Sequence, residues 1–78
     1  MTKKTTASRL MNQLAKYRKQ KGLSQTQLAK LIGVAQSTIA MIETGKITPS
    51  LRTALKLARV LGTTVEELFP LEDDAEDK

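Results

Sequence analysis

The stretch from Ser24 to Glu43, SQTQLAKLIGVAQSTIAMIE, limits most strongly what this chain can fold into. Its apolar residues recur at three- and four-residue steps on either side of Gly33, which predicts two short amphipathic helices joined by a tight turn. Such a pair is stable only if the rest of the chain packs behind it. The sequence therefore predicts a small helical domain from which the second helix of the pair projects.

Further helices and their end signals are readable on both sides of this pair. Gly22 closes the first helix in the position that a left-handed cap prefers, and the capping boxes Ser24-x-x-Gln27 and Thr64-x-x-Glu67 open later helices. No segment of useful length alternates with the period of a strand, so we predict an all-α fold of five helices. The predicted helices cover about residues 7–21, 25–32, 36–43 and 51–61, followed by a brief helix after Thr64 that Pro70 ends.

The chain of 78 residues suffices for one small domain with a marginal core, which pairing with a second copy would help to stabilise. We assign residues 8–70 to this domain, residues 1–7 to a flexible basic arm and residues 71–78 to an acidic, disordered tail. The apolar periodicity of the fourth helix also predicts which of its residues face the core of this domain. These residues are Leu51, Ala54, Leu55, Ala58 and Leu61.

Charge is divided unevenly along the chain. Residues 1–59 hold twelve of the thirteen Lys and Arg and a single acid, Glu43, whereas residues 60–78 hold seven acids and one Lys. A basic body suggests a polyanion as partner, although short domains also carry a basic excess simply because it keeps them in solution. Aromatic residues make up only 3% of the chain, so the stacking platforms that bind single strands and RNA are missing. Duplex DNA is therefore the better candidate polyanion.

Several classes of function are excluded by what the composition lacks. The chain has no Cys and no His, so disulfides, thiolate chemistry and the usual zinc sites have no ligands. No carboxylate pair occurs outside the tail for acid–base catalysis, and we expect no enzyme activity, no cofactor, no metal and no small-molecule effector. The start, MTKKTTASRL, lacks an apolar run of signal-peptide length, and no later run approaches a membrane span. We therefore expect a cytoplasmic protein.

The central helix pair has the features of a helix-turn-helix, in which the second helix enters the major groove of DNA. An ordinary helical hairpin within a bundle is the alternative, and periodicity alone does not distinguish the two. Small side chains at Ser37 and Ala40 would allow close approach to the bases. Gln36 has the amide needed for a bidentate contact with adenine, and Met41 can pack on a thymine methyl.

One set of residues, spread in register over about residues 9–69, is typical of a known family. The set comprises Arg18, Gly22-Leu23-Ser24-Gln25, Leu28-Ala29, Gly33-Val34, Ile39, Ile42-Glu43, Gly45-Lys46, Pro49-Ser50 and Ala58. Together these residues resemble the lambda-repressor-like, phage repressor/Cro (xenobiotic-response-element type) helix-turn-helix family. The resemblance implies the compact five-helix fold of that family, with the helix-turn-helix formed by helices 2 and 3, and binding to double-stranded DNA.

The resemblance also implies roles for single residues. Gln25 would hold a phosphate and support the first residue of the reading helix, and Lys46 would hold a second phosphate. Two positions depart from the usual pattern, because Ala35 cannot cap the reading helix with its side chain and Met41 replaces a hydrogen-bonding residue. The residues that match the base-reading positions of the family are Gln36, Ser37, Thr38 and Met41.

Glu43 needs a compensating cation. It is the only acid among residues 1–59, and it lies at the end of a helix, where its charge opposes the helix dipole. The family pattern pairs the matching residues, so we predict an ion pair between Arg18 and Glu43 that ties the first helix to the third. The alternative, in which Glu43 accepts from a cytosine, is disfavoured because DNA phosphates repel its charge.

These features predict a sequence-specific, double-stranded-DNA-binding transcriptional regulator. A single module of this size contacts too few base pairs, so we expect a homodimeric repressor on a palindromic operator. The dimer surface is predicted at the C-terminal end, with Leu68, Phe69 and Leu71, unless these residues only cap the core of the monomer. The competing function is an interaction module, such as an antitoxin or a bridging coactivator, whose main partner is a protein.

Overall fold

The structure is a computed structural model that describes residues 12–71, and these residues fold into five helices. In chain order the helices are α1 (Leu14–Gln20), α2 (Gln25–Ile32), α3 (Gln36–Glu43), α4 (Leu51–Leu61) and α5 (Val65–Leu68). The predicted all-α fold is confirmed, and α2, α3 and α4 have the predicted bounds. The predicted arm (residues 1–7) and all of the predicted tail after residue 71 lie outside the described residues. None of the described helices is both long and apolar enough to cross a membrane.

Local end signals explain where the chain turns. The backbone N–H of Gln27 donates to the hydroxyl of Ser24 (3.0 Å), and the backbone N–H of Ser24 donates to the amide oxygen of Gln27 (2.8 Å), so the capping box of α2 is complete. Ser50 caps α4 by accepting from the backbone N–H of Thr53 (3.1 Å). Gly33 ends α2 at a φ of 79°, a left-handed conformation that glycine adopts without strain and that turns the chain into α3.

The first helix begins later than predicted. Asn12 and Gln13 are not helical, so α1 starts at Leu14, and residues 7–11 of the predicted helix lie outside the described residues. The side-chain oxygen of Asn12 accepts from the backbone N–H of Leu14 (3.0 Å), and its amide nitrogen donates to the carbonyl of Ile42 in α3. The N–H of Gln13 donates to the last carbonyl of α5 (2.8 Å). The side-chain amide of Asn12 and the backbone N–H of Gln13 thus bond to α3 and α5 instead of extending α1 toward the N-terminus. Apolar periodicity does not reveal such bonds to distant helices.

One apolar core holds the helices together. The most extensive contact is between α2 and α3, α2 and α5 also pack on α4, and α1 packs on α3. Among the described residues no polar or charged residue is buried. Because the two isoleucines of α3 lie in this core, the opposite side of α3 faces outward. The buried residues are Leu14, Leu28, Ala29, Ile32, Ile39, Ile42, Ala54, Leu57, Ala58, Leu61, Leu68 and Phe69.

The face of α4 that packs on the core differs from the predicted one. Leu51 and Leu55, two of the five residues expected in the core, are 71% and 54% exposed, and Leu57 is fully buried. The prediction for Leu51 and Leu55 was therefore wrong. The apolar face of α4 contains Ala54 and Ala58, and helical periodicity fits equally well a face that includes Leu55 or one that includes Leu57. The positions of α2 and α5 against α4 decide between the two, and periodicity contains no information about those positions.

The apolar residues at the C-terminal end divide between core and surface. Leu68 is fully buried and Phe69 is 6% exposed, so these two cap the core of the monomer, which was the alternative interpretation. They have almost no free surface to offer to a second copy. Leu71 is 71% exposed, and it is the only one of the three predicted dimer residues that is available for such a contact.

Candidate nucleic-acid interface

The outer face of α3 is polar but uncharged. Gln36, Ser37 and Met41 are exposed, and Thr38 is half-buried at the margin of this face. The helix contains no Lys or Arg, and its one acid, Glu43, bonds to groups on α1 and α2 instead of facing solvent. The groups that α3 presents to a partner are therefore an amide, hydroxyls and a thioether.

The N-terminus of α3 has no side-chain cap, as its sequence predicts. Ala35 occupies the N-cap position in extended backbone (φ −73°, ψ 150°) and has no oxygen to accept from the first turn. Replacing a capping side chain by Ala costs about 1 kcal/mol of helix stability. The N–H groups at this end, together with the positive end of the helix dipole, are therefore left without a side-chain partner.

A shielded ion pair between Arg18 of α1 and Glu43 lies behind the outer face. Nε of Arg18 donates to Oε2 of Glu43 (2.6 Å), and Nη2 donates to Oε1 (3.2 Å). The third nitrogen, Nη1, donates to the carbonyl of Leu23 (2.9 Å) in the turn that leads into α2. The two side chains are only 11% and 8% exposed, so solvent screens the pair weakly. The structure thus brings the two predicted partners into contact and ties α1, the turn and α3 together.

The surroundings of Glu43 favour its ionised form. Burial by itself would raise the pKa of the Glu43 carboxyl, but hydrogen bonds from Arg18 and Gln25 and the positive charges of Arg18 and Lys19 lower it by more. The pKa of Glu43 therefore lies below its usual value. A contact between Glu43 and a cytosine would have to compete with these bonds, which already occupy both carboxylate oxygens.

Gln25, the first residue of α2, connects the ion pair to the first residue of α3. Its amide nitrogen donates to Oε1 of Glu43 (2.9 Å), and its amide oxygen accepts from the amide nitrogen of Gln36 (2.6 Å). Gln25 is half-buried and Gln36 is exposed. Gln25 thus holds the side chain of Gln36 by a hydrogen bond. Only the second amide hydrogen and the backbone N–H of Gln25 remain for a phosphate.

The loop after α3 folds back over the end of the helix. The N–H of Lys46 donates to the carbonyl of Met41 (2.9 Å), which holds Lys46 next to the outer face. Thr44, which the sequence alone does not mark as important, donates its hydroxyl to the carbonyl of Ala40 (3.1 Å) and so ties the last turn of α3. Its only sequence signal is a Thr directly before a turn glycine. The exposed cations of residues 12–71 are Lys16, Lys19, Lys21, Lys30, Lys46, Arg52, Lys56 and Arg59.

A second surface feature is a groove between α4 and α5. Its lining includes the exposed Leu51 and Leu55 and the edge of Phe69. Arg59 of α4 and Glu66 of α5 line the same groove with opposite charges. Sequence reasoning missed this apolar surface because it assigned the two leucines to the core.

Comparisons with known proteins agree with this architecture. A helix-turn-helix family model matches residues 14–68, from the start of α1 to the end of α5. An uncharacterised HTH-type transcriptional regulator of Methanocaldococcus jannaschii is 45% identical over 65 residues, which cover 83% of this chain and 98% of the relative. The uncharacterised HTH-type transcriptional regulator YgzD of Bacillus subtilis is 35% identical over 65 residues, with coverage of 83% and 98%.

Solved structures are similar over the same region. SinR, the master regulator of biofilm formation, has been solved in complex with DNA, and its chain in that structure superposes with a TM-score of 0.67 at 37% identity, covering 72% of this chain and 90% of the SinR chain in that structure. In the complex of SinR with SinI, the match covers only 55% of the aligned chain. The restriction-modification controller protein C.AhdI of Aeromonas hydrophila gives a TM-score of 0.68 at 42% identity, covering 73% of this chain and 86% of C.AhdI. This chain therefore belongs to the lambda-repressor-like helix-turn-helix family, whose members are DNA-binding transcriptional regulators and not enzymes.

Proposed function

We propose that this chain recognises a specific sequence of double-stranded DNA and regulates transcription as a homodimeric repressor on a palindromic operator. The construction of α3 carries the proposal. Its outer face exposes Gln36, Ser37 and Met41, while Gln25 and the ion pair behind it hold Gln36 in place. An α-helix with side chains of this size fits the major groove, where each base pair presents a distinct pattern of donors and acceptors.

The outer groups of α3 suit the reading of base edges. Gln36 offers an amide oxygen and an N–H, which complement the N6 amino group and N7 of adenine. Met41 can pack on a thymine methyl, and Ser37 is small enough to allow close approach. Thr38, at the margin of the face, completes the proposed reading set. Because none of these side chains is charged, discrimination depends on hydrogen-bond matching and shape.

Affinity comes from groups around this reading set. We propose that Lys46 holds one phosphate and that the remaining amide hydrogen and backbone N–H of Gln25, at the start of α2, hold another. Exposed cations elsewhere on the surface add attraction that does not depend on sequence. The logarithm of affinity should therefore fall linearly with the logarithm of the salt concentration as counterions are released.

The proposed dimer forms through the groove between α4 and α5. Leu51 and Leu55 lie one turn apart and expose apolar surface in this groove, and Leu71, two residues after the groove residue Phe69, is also exposed. Arg59 and Glu66 supply opposite charges that a two-fold related copy can pair reciprocally. Two copies would place two reading helices on successive major grooves. Repression then needs nothing more than occupancy, because a dimer bound across a promoter excludes the polymerase.

Selection of bound duplexes from a random pool tests the DNA function. We expect an inverted repeat whose half-site centres lie about one helical turn, roughly 34 Å, apart. The Gln36→Ala variant should lose the preference at one position of each half-site and keep it elsewhere. A pool without any enriched sequence, or a uniform loss of affinity in Gln36→Ala, would contradict the proposed readout.

Sedimentation equilibrium without DNA tests the dimer. Leu55→Glu should shift the protein toward monomer, because it buries a charge in the proposed interface. Leu31→Glu is the matched control, since Leu31 is 58% exposed on α2 and does not line the groove. A wild-type monomer at high micromolar concentration would contradict the dimer and favour the interaction module, with the groove between α4 and α5 as the site for its protein partner.

A further inference from the structure

We propose that the ionised carboxylate of Glu43 decides which groups of Gln36 face the bases, so that Glu43 is a positioning residue for base recognition. This inference rests on the proposed DNA-binding function. Its basis is a series of hydrogen bonds whose donors all point toward Glu43. Arg18 and Gln25 donate to Glu43 (2.6 and 2.9 Å), and Gln36 donates to Gln25 (2.6 Å).

The direction of this series follows from the chemistry of its inner end. An ionised carboxylate only accepts hydrogen bonds, so Gln25 has to turn its amide nitrogen toward Glu43. The oxygen of Gln25 then faces Gln36, which has to turn its own nitrogen inward in order to donate. Gln36 keeps its oxygen and one N–H for the groove. One acceptor beside one donor is the complement of adenine.

A neutral amide in place of the carboxylate would reverse the direction. Arg18 has only donors, so it would keep the oxygen of the new amide at its shorter contact of 2.6 Å and give up its longer contact of 3.2 Å, where the amide nitrogen would lie. The nitrogen of the new amide would then face Gln25 and donate to it. Gln25 would have to turn over, and Gln36 would follow, presenting two N–H donors to the groove. Two donors complement guanine, whose N7 and O6 are both acceptors.

The Glu43→Gln variant therefore tests the proposal through a base preference. Duplexes taken from the selection are compared in pairs that differ only in A·T or G·C at the position that Gln36 reads. We expect the ratio of the two Kd values to move toward guanine by about 5- to 150-fold, the range of one good bidentate contact. Glu67→Gln makes the same change at an exposed acid of α5 and should leave the ratio unchanged.

Two further variants locate the effect. Gln25→Met keeps the ion pair but interrupts the series, so the amide of Gln36 can rotate and the A-to-G ratio should approach one instead of reversing. In a Gln36→Ala background, Glu43→Gln should no longer change the ratio, because no amide remains to be turned. Full adenine preference in Gln25→Met would overturn the proposal even if Glu43→Gln fails to fold. So would a Glu43→Gln effect that persists without Gln36.

A measurement without DNA separates the inference from the function on which it rests. The side-chain amide signals of Gln36 in NMR spectra should shift on acidification in step with protonation of Glu43, and this shift should vanish in Gln25→Met. If the signals ignore Glu43 while duplexes are still selected, the inference fails and the proposed function survives. If the signals follow Glu43 but no duplex is enriched, the hydrogen-bond series stands, and the claim about bases fails together with the proposed function.

Discussion

The helices α3 and α4 each bury one face in the same core, but their outer faces differ in charge and in support. The outer face of α3 has no charge, and its first residue, Gln36, is bonded through Gln25 to a shielded ion pair. The outer face of α4 carries Arg52, Lys56 and Arg59 beside two exposed leucines, and no ion pair holds these cations within the described residues. The outer face of α3 is thus uncharged and its first side chain is held by hydrogen bonds, whereas the outer face of α4 is charged and its cations have no ion-pair partner among the described residues.

This difference matches two separate demands of DNA binding. A cation is attracted to a phosphate whatever the neighbouring base sequence is. Because this attraction acts over several ångströms, the cation needs no fixed position. An amide forms good hydrogen bonds with a base only where its donor and acceptor match the acceptor and donor of that base edge. Its orientation therefore has to be fixed before the DNA binds. Under the proposed function, the one acid of α3 therefore serves to orient the reading amide, while the exposed cations serve to attract the DNA.

The largest expected effect comes from removing the support behind α3. Arg18→Met leaves Glu43 shielded from solvent without its cation, and the loss of one partner of such a pair costs about 3–5 kcal/mol. Urea unfolding measures the change in the free energy of unfolding. Lys16→Met, at another exposed cation on α1, is the control and should cost less than about 0.5 kcal/mol. Equal losses in the two variants would mean that the ion pair does not hold α3 in place.

The two faces of α4 can be compared through two leucines. Leu57→Ala removes a fully buried side chain and should lower the free energy of unfolding by about 3 kcal/mol. Leu55→Ala, at 54% exposure, should cost less than about 1 kcal/mol when it is measured below the concentration at which copies associate. The same unfolding assay checks both. The reverse order would restore the face that the sequence predicts.

Features with local causes were predictable from the sequence. The bounds of α2 follow from the Ser24 capping box and from Gly33, and the exposure of Gln36 and Met41 follows from the apolar period of α3. The Arg18 and Glu43 partners came from the family resemblance, together with the need to compensate a single acid.

Features that depend on distant partners were not predictable. The start of α1 depends on bonds from Asn12 to α3 and from Gln13 to α5, and the inward face of α4 depends on where α2 and α5 lie. The direction of the Gln25 and Gln36 amides is of the same kind, because we infer that it is set by the charge of Glu43, which lies eighteen residues after Gln25 in the chain. The local sequence pattern contains no information about the start of α1, the inward face of α4 or the direction of these amides.

Replacing a cation beside α3 should change affinity without changing preference. Lys46→Gln removes one proposed phosphate contact, so the slope of log affinity against log salt should become shallower by about one unit, equally for all duplexes. Gln36→Ala is the counterpart and should leave the slope unchanged while it alters the selected sequence. Titrations of one duplex at several salt concentrations measure both. A changed sequence preference in Lys46→Gln would mean that attraction and readout are not divided between these regions.

The smallest expected effect is the pH dependence that Glu43 contributes. Because the pKa of Glu43 in the folded protein lies below its usual value, the unfolded chain takes up this proton first as the pH falls. The stability that Glu43 contributes is therefore complete above the ordinary range of a glutamate and is lost as the pH drops through the folded-state pKa. The stability advantage of the wild type over Glu43→Gln should be constant near neutral pH and shrink on acidification, as measured by urea unfolding at a series of pH values. Glu67→Gln should retain the acid-dependent loss of the wild type. If Glu43→Gln loses stability on acidification as steeply as the wild type, the carboxylate is not the charged anchor of α3, and the contrast between the two helices reduces to the exposed cations of α4.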